Sequence, residues 1–172
     1  MSVSIVFTFI GADKPGLIER LSKTVSENDG NWLESRMSQL AGQFAGIARV
    51  QVTDNQADAL TQALRQLSGK DLEISIQSSQ QGANATDYRL MHLSLIGNDR
   101  TGIVRELSSA LASRQINVCE MNTNVTSAPM TAEPLFEATA QIQVPINLDL
   151  GELSDSLDEI ANELAVDITL DD

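Results

Sequence analysis

Apolar and polar residues alternate at two distant places in the chain, and the same pattern follows each of them. A period of two predicts half-buried strands. The alternating apolar residues are Val3, Ile5, Phe7 and Phe9 at the first place and Met91, Leu93 and Leu95 at the second. Apolar residues then recur at i, i+1, i+4 and i+8, which predicts a helix with one apolar stripe. The stripe residues are Leu17, Ile18, Leu21 and Val25 after the first strand and Ile103, Val104, Leu107 and Leu111 after the second.

These two stretches belong to an internal repeat. Residues 10–18, IGADKPGLI, align with residues 96–104, IGNDRTGIV, at an offset of 86. Past a six-residue insertion in the second copy, residues 44–52 align with residues 136–144. Near the ends, residues 72–76 align with residues 166–170. The chain is therefore a tandem duplication.

Each copy continues with a second strand that begins at Asn31 or Asn117, a third strand, a second helix and a short fourth strand. The order βαββαβ is typical of a split βαβ, ferredoxin-like sheet with two helices on one face. The predicted fold class is α+β, with two such antiparallel sheets in tandem. We expect the first domain at residues 1–78, a polar linker at 79–87 and the second domain at 88–172.

Charge is distributed unevenly between the copies. The chain carries a formal charge of −13, and residues 81–172 supply most of it, with four Lys and Arg against fifteen Asp and Glu. A chain without a basic cluster cannot neutralise phosphates, so direct binding of DNA or RNA is not expected. Nine of the acids lie between Asp149 and Asp172, where there is no Lys or Arg. They either keep the protein soluble or steer a basic partner towards it.

The few residues with reactive side chains do not form a catalytic pattern. With one histidine and one cysteine, the chain lacks the sets that metal sites and catalytic triads need, so we expect no enzyme and no metal. Cys119 falls in the predicted second strand of the second copy and is expected to be a small buried core residue. His92 is expected on the sheet face away from the helices, in a passive role or as a ligand contact. Asp158 and Glu159 are expected on a solvated helix face.

The location of the protein follows from three features of the sequence. A single cysteine cannot form an internal disulfide. The first residues contain no basic leader or cleavage site, and no apolar run approaches the roughly 18 residues of a membrane span. We therefore expect a soluble, cytoplasmic protein.

The clearest candidate for binding is the turn between the first strand and the first helix of each copy. Its sequence is GADKPG at residues 11–16 and GNDRTG at residues 97–102. Free N–H groups and the positive end of the helix dipole attract an anion at such a turn. The alternative is purely structural, with Asp13 and Asp99 as helix N-caps and the glycines serving packing. Both interpretations fit the residues equally well.

The segment at residues 10–18, the helix after it and the Gly30-Asn31 pair that opens the next strand resemble the signature of ACT domains. These are small βαββαβ regulatory modules that often bind amino acids, and the resemblance covers nearly the whole chain in two copies. It implies a ligand-binding turn with a contact on the neighbouring strand. The implied residues are Asp13, Lys14, Pro15, Gly16 and Asn31 in the first copy and Asp99, Gly102 and Asn117 in the second.

The resemblance also implies a function. Within the family, the chain is most similar to stand-alone tandem proteins that repress transcription through a DNA-binding activator protein, without binding DNA themselves. This implies a non-enzymatic regulator that responds to glycine or another small amino acid and uses no cofactor. The alternative is a regulatory subunit that modulates a metabolic enzyme. The sequence leaves the oligomeric state open, a homodimer included.

Overall fold

The computed structural model describes residues 1–78 and 87–171. The chain divides into two compact units, Met1–Ala83 and Asn84–Asp172. Apart from Asp87, the predicted linker at 79–87 lies outside the described residues.

The first unit contains four strands and two helices, with a short 3₁₀ turn at Asp54–Gln56. Its elements are β1 (Ser2–Ala12), α1 (Leu17–Glu27), β2 (Asn31–Leu40), β3 (Gln43–Thr53), α2 (Ala57–Leu67) and β4 (Leu72–Ser78). The strands form one antiparallel sheet in the order β2-β3-β1-β4. The two central strands, β1 and β3, are therefore the first and third in the chain, as a split βαβ requires.

The second unit repeats this architecture. Its elements are β5 (Tyr88–Asn98), α3 (Ile103–Ala112), β6 (Asn117–Ser127), β7 (Pro134–Pro145), α4 (Leu150–Leu164) and β8 (Val166–Asp171). The antiparallel sheet has the order β6-β7-β5-β8, which matches the first sheet strand for strand. The predicted α+β class with two tandem ferredoxin-like domains is thus confirmed.

Each unit encloses its own apolar core between the sheet and the two helices. In the first unit, alternate residues of β1 meet the stripe of α1, and Phe7 and Leu21 have no exposed surface. In the second unit, Leu93 and Leu107 occupy the equivalent positions and are at most 1% exposed. Phe7 also contacts Trp32 edge to face, with ring centroids 5.7 Å apart, so the indole lies against the first core.

Two sequence predictions about the core are wrong. Cys119 is exposed, because a β-bulge between Val118 and Glu120 interrupts the pairing of β6 with β7 and breaks the alternation of buried positions. Val104 is 42% exposed, because the i+1 position lies at the margin of the apolar stripe and α3 buries Ile103 instead. His92 lies exposed on the sheet face away from the helices, as predicted.

Helix α4 carries the acidic end of the chain. The Asp149 carboxylate caps it, since Oδ1 accepts hydrogen bonds from the backbone N–H groups of Gly151 and Glu152 at 2.7 and 3.1 Å. Asp158 and Glu159 are exposed, which confirms that they lie on a solvated helix face. In the parts of the chain that the structure describes, no helix has the length and apolar character needed to cross a membrane.

The end of β1 approaches the start of β4 so closely that only glycine fits there. A Cβ on Gly11 would collide with the backbone carbonyl of Asp71, which cannot move aside as a flexible side chain would. In the second unit, a Cβ on Gly97 would collide with Val166. Both glycines thus serve the packing of a strand against its neighbour.

We expect Gly11→Ala to lower the free energy of unfolding of the first unit by about 1–3 kcal/mol, because the new methyl group must displace backbone. Gly69→Ala is the matched control, since a Cβ there would meet nothing within 4 Å. The fluorescence of Trp32, the one tryptophan of the chain, reports on this unit in a urea titration. Equal midpoints for the two variants would contradict the close approach.

Candidate functional site

The turn between β1 and α1 is held in shape by a glycine and by a backbone contact. Gly16 occupies the N-cap position of α1 with φ 91° and ψ −3°, in the left-handed region. Its ideal Cβ would meet nothing within 4 Å, so this position needs glycine for its conformation and not for space. The Asp13 N–H donates to the carbonyl of Gly42 at 2.9 Å, which ties the turn to the β2–β3 hairpin.

The second unit builds the same turn from a different sequence. Gly102 is the N-cap of α3 with φ 100° and ψ −6°. The Asp99 N–H donates to the carbonyl of Pro134 at 2.9 Å, as Asp13 does to Gly42. Because Thr101 stands where the first copy has Pro15, the shared geometry comes from the glycine and the hairpin contact.

The prediction that Asp13 and Asp99 act as N-caps is wrong. The cap position belongs to glycine in both helices, and no side chain caps either of them. Both aspartates are exposed, and within residues 1–78 and 87–171 neither carboxylate has a hydrogen-bond or ion-pair partner. The other half of that interpretation, glycines that serve packing, applies to Gly11 and not to Gly16.

A basic residue follows each of these aspartates. Lys14 Nζ lies 3.7 Å from Asp71 Oδ2, with the two side chains 65% and 73% exposed. In the second unit, Arg100 Nη2 lies 3.3 Å from Glu106 Oε2, and Arg100 Nε donates to the carbonyl of Leu164 at 3.4 Å. Exposed pairs of this kind contribute little to stability. The cations are therefore available to a ligand at low energetic cost.

Beside each turn, at the same place in both units, lies an open cavity. In the first unit its volume is about 380 Å³, and Gly11, Ala12, Lys70 and Asp71 are among the residues that line it. In the second unit the volume is about 610 Å³. The equivalent lining there includes Gly97, Asn98, Asn162 and Asp167. Because Lys14 contacts Asp71, the first turn borders its cavity directly.

Sequence reasoning missed the part of this cavity that comes from the loop before the last strand. Lys70 and Asp71 belong to that loop in the first copy, and Asn162 lies at the end of α4 in the second. No periodicity or repeated motif marks these residues, since the loops before β4 and β8 differ in both length and composition. The sheet order of the predicted fold could have revealed them, because it places β4 next to β1 and so brings the loop before β4 to the turn.

The two predicted asparagines lie at the opposite end of their own sheets from the turns. Asn31 pairs with Gln51, which pairs with Ser4 near the start of β1, whereas the turn follows Ala12. Eight residues of strand separate these positions, or roughly 27 Å. Asn117 pairs with Gln143, and its Nδ2 donates to the Gln143 side chain at 3.2 Å. Neither unit brings its asparagine and its turn together.

Other reactive groups do not assemble into a second site. Within the described parts of the chain, no three side chains among His, Cys, Asp and Glu converge to hold a metal ion. His92, Glu120 and Gln141 share a shallow depression of about 230 Å³ on the outer face of the second sheet. That depression is open to solvent and shares no residue with the cavity beside the second turn.

Comparison with known proteins agrees with this architecture. Residues 4–87 match the family model of the ACT domain. A crystal structure of an unknown protein from Galdieria sulphuraria is 27% identical, with a TM-score of 0.84 over 99% of this chain and 98% of that one. A crystal structure of a proposed glycine cleavage system transcriptional repressor is 17% identical, with a TM-score of 0.74 over 99% of this chain and 97% of that one.

A search of curated protein sequences found no significant match. The family match spans the described part of the first unit almost completely, and the second unit has the same strand order and the same turn. The first unit is therefore an ACT domain, and the second unit repeats its fold.

Proposed function

We propose that the chain is a non-enzymatic, amino-acid-responsive regulator that represses transcription of the glycine cleavage system through a DNA-binding partner protein. The observation that carries the first part is an acidic residue followed by a basic one at each turn, Asp13 and Lys14 in the first unit and Asp99 and Arg100 in the second. These pairs recur at helix N-termini beside cavities of similar position. The likeness in fold to the proposed glycine cleavage repressor and the acidic surface support the second part.

The proposed chemistry at the first turn suits a zwitterion. The first N–H groups of α1 have no acceptor within the helix, and the helix dipole favours negative charge at this end. Together with the Lys14 ammonium they would hold the carboxylate of a free amino acid. The unpaired Asp13 carboxylate would hold its ammonium group. Pro15 and Gly16 fix the backbone on which these groups lie. In the second unit Gly102 fixes the backbone, and Asp99 and Arg100 take the places of Asp13 and Lys14.

Lys14→Gln and Asp13→Asn should each weaken binding of the effector by about tenfold, since each removes a charged hydrogen-bond partner worth about 1.5 kcal/mol. Isothermal titration calorimetry with glycine and a panel of small amino acids measures this in the full chain. Asp99→Asn and Arg100→Gln are the matched pair in the second unit and show whether both copies bind. If none of the four variants changes the affinity for the effector, the turns have a structural role only.

Asn31 tests whether one unit builds the whole site. A free amino acid cannot span the roughly 27 Å between Asn31 and the turn of its own sheet. We therefore expect Asn31→Ala, and likewise Asn117→Ala, to bind the effector as the native chain does. A loss as large as that of Lys14→Gln would contradict a site that is complete within a single unit.

The proposed partner is a DNA-binding protein, which uses a basic surface for phosphates. The exposed acids of α4 would steer such a surface. Replacing Asp155, Asp158 and Glu159 by Asn and Gln should slow association at low salt and have less effect at high salt, because screening weakens steering. Stopped-flow or surface-based kinetics with the captured partner measures the rate.

The matched control removes three exposed acids from the first unit, by Glu19→Gln, Asp54→Asn and Asp58→Asn. It changes the net charge equally but should leave the association rate closer to that of the native chain. Equal effects of the two triple variants would contradict docking near α4. Affinity capture identifies the class of partner: a DNA-binding regulator supports the proposal, and a biosynthetic enzyme supports the alternative role as a regulatory subunit.

A further inference from the structure

Each sheet has an outer face that points away from its helices, and the duplication allows the two faces to be compared position by position. On β1, buried Phe7 and Phe9 alternate with Thr8 and Ile10, which lie on the outer face. On β5 the same positions carry Ser94 and Ile96. Because the two units share one fold, the fold places the same demands on the outer residues of both sheets. A difference in residue type between the two outer faces therefore has another cause.

The outer face of the first sheet is apolar at its centre. Ile10 and Ile47 are 46% and 47% exposed. Ile47 lies opposite Thr8, and Ala45 lies opposite Ile10, so these side chains form one continuous strip with the half-buried Val6. A depression of about 150 Å³, which Val6 and Ile47 help to line, lies between β1, β3 and β2.

The outer face of the second sheet has polar or acidic residues at the corresponding positions. His92, Glu137 and Thr139 stand where the first sheet has Val6, Ala45 and Ile47. This face carries four carboxylates and, in the described strands, neither Lys nor Arg. The carboxylates belong to Glu120, Glu137, Asp167 and Asp171. The second face is therefore suited to solvent, and the first is not.

We propose that the outer face of the first sheet binds the same face of a second copy of the chain, in a two-fold symmetric dimer. The charges on this face are balanced, two positive and two negative, with a net positive charge towards the β2 edge and a negative charge at the β4 edge. Arg36 and the ion pair of Arg49 Nε with Glu34 Oε1, at 2.7 Å, lie towards the β2 edge. Glu73 lies on β4, at the other edge.

Two-fold symmetry makes this arrangement self-complementary. When the axis runs between the sheets and parallel to the strands, β2 of one copy lies over β4 of the other. Arg36 is level with Thr8 and Glu73 with Ile10, so Arg36 then lies two residues, or roughly 7 Å along the strand, from Glu73 of the second copy, within reach of its long side chain. This contact occurs twice, once on each side of the axis, and the apolar strip lies over itself. The second sheet could not pair in this way, because all four of its charges are negative.

The net charge of the first unit and the area of its outer face are both compatible with a dimer interface. Residues 1–80 carry seven Lys and Arg against nine Asp and Glu, a net −2, so the first unit is close to neutral and two copies of it repel each other only weakly. With eleven residues in β1 and β3, the face measures roughly 35 by 19 Å. Full overlap would bury roughly 650 Å² on each copy, near the low end of stable interfaces. The dimer should therefore dissociate on dilution.

Sedimentation velocity of the full chain over a range of concentrations tests this inference, which does not depend on the proposed effector. We expect a monomer–dimer equilibrium in which Ile47→Asp raises the dimer Kd by about tenfold or more, as for a residue near the centre of an interface. Thr139→Asp, at the equivalent position of the second sheet, is the matched control and should leave Kd unchanged. Circular dichroism confirms that both variants are folded.

A charge exchange gives a second test that does not depend on Ile47→Asp folding. Arg36→Glu should weaken the dimer, and adding Glu73→Arg should restore it, because the exchanged charges face each other only across the interface. A chain that is monomeric at all concentrations overturns the proposal. A dimer that Ile47→Asp leaves intact, that Thr139→Asp weakens equally, or that the double exchange fails to restore overturns it as well.

Discussion

Both units depend on burying one face of a four-stranded sheet beneath two helices. Each helix has a single apolar stripe, so it can cover the sheet only by running back along it. This return makes β1 and β2 parallel and leaves a place between them for β3. It also requires a sharp change of direction at the end of β1. The left-handed glycines Gly16 and Gly102 provide that change, so the candidate binding turn is a direct consequence of how the core is covered.

The duplication helps to separate what the fold requires from what is particular to each copy. Buried positions such as Phe7 and Leu93 stay apolar, and Gly16 and Gly102 keep the same conformation. The requirements of the fold do not explain why both turns keep an exposed aspartate. These aspartates recur without capping a helix and without a partner in the described residues, so stability does not account for them. That recurrence is what the proposed ligand role would explain.

The periods and the repeat were enough to predict the order of elements, the tandem ferredoxin-like fold and the position of the turns. They failed where a single residue departs from a period. The bulge at Cys119 depends on how β6 pairs with β7, which the sequence of one strand does not determine. The resemblance to ACT domains implies that Asn31 belongs to the same site as the turn. Within one unit, however, α1 carries the chain along the full length of the sheet between them, so Asn31 lies level with Ser4 and far from the turn.

The constraints on β1 also limit how a ligand at the turn can affect the rest of the unit. A slip of one residue would bring Ile10 into the core and Phe9 onto the outer face, so β1 cannot move along its neighbours without losing the core. The turn is instead joined to two loops. The Asp13 N–H bonds to Gly42 of the β2–β3 hairpin, and Lys14 pairs with Asp71 before β4. A ligand that competes for Lys14 would replace its contact with Asp71 in the loop before β4 and leave the sheet unchanged. Any signal from the turn should therefore pass through these loops at the end of the sheet rather than through its strands.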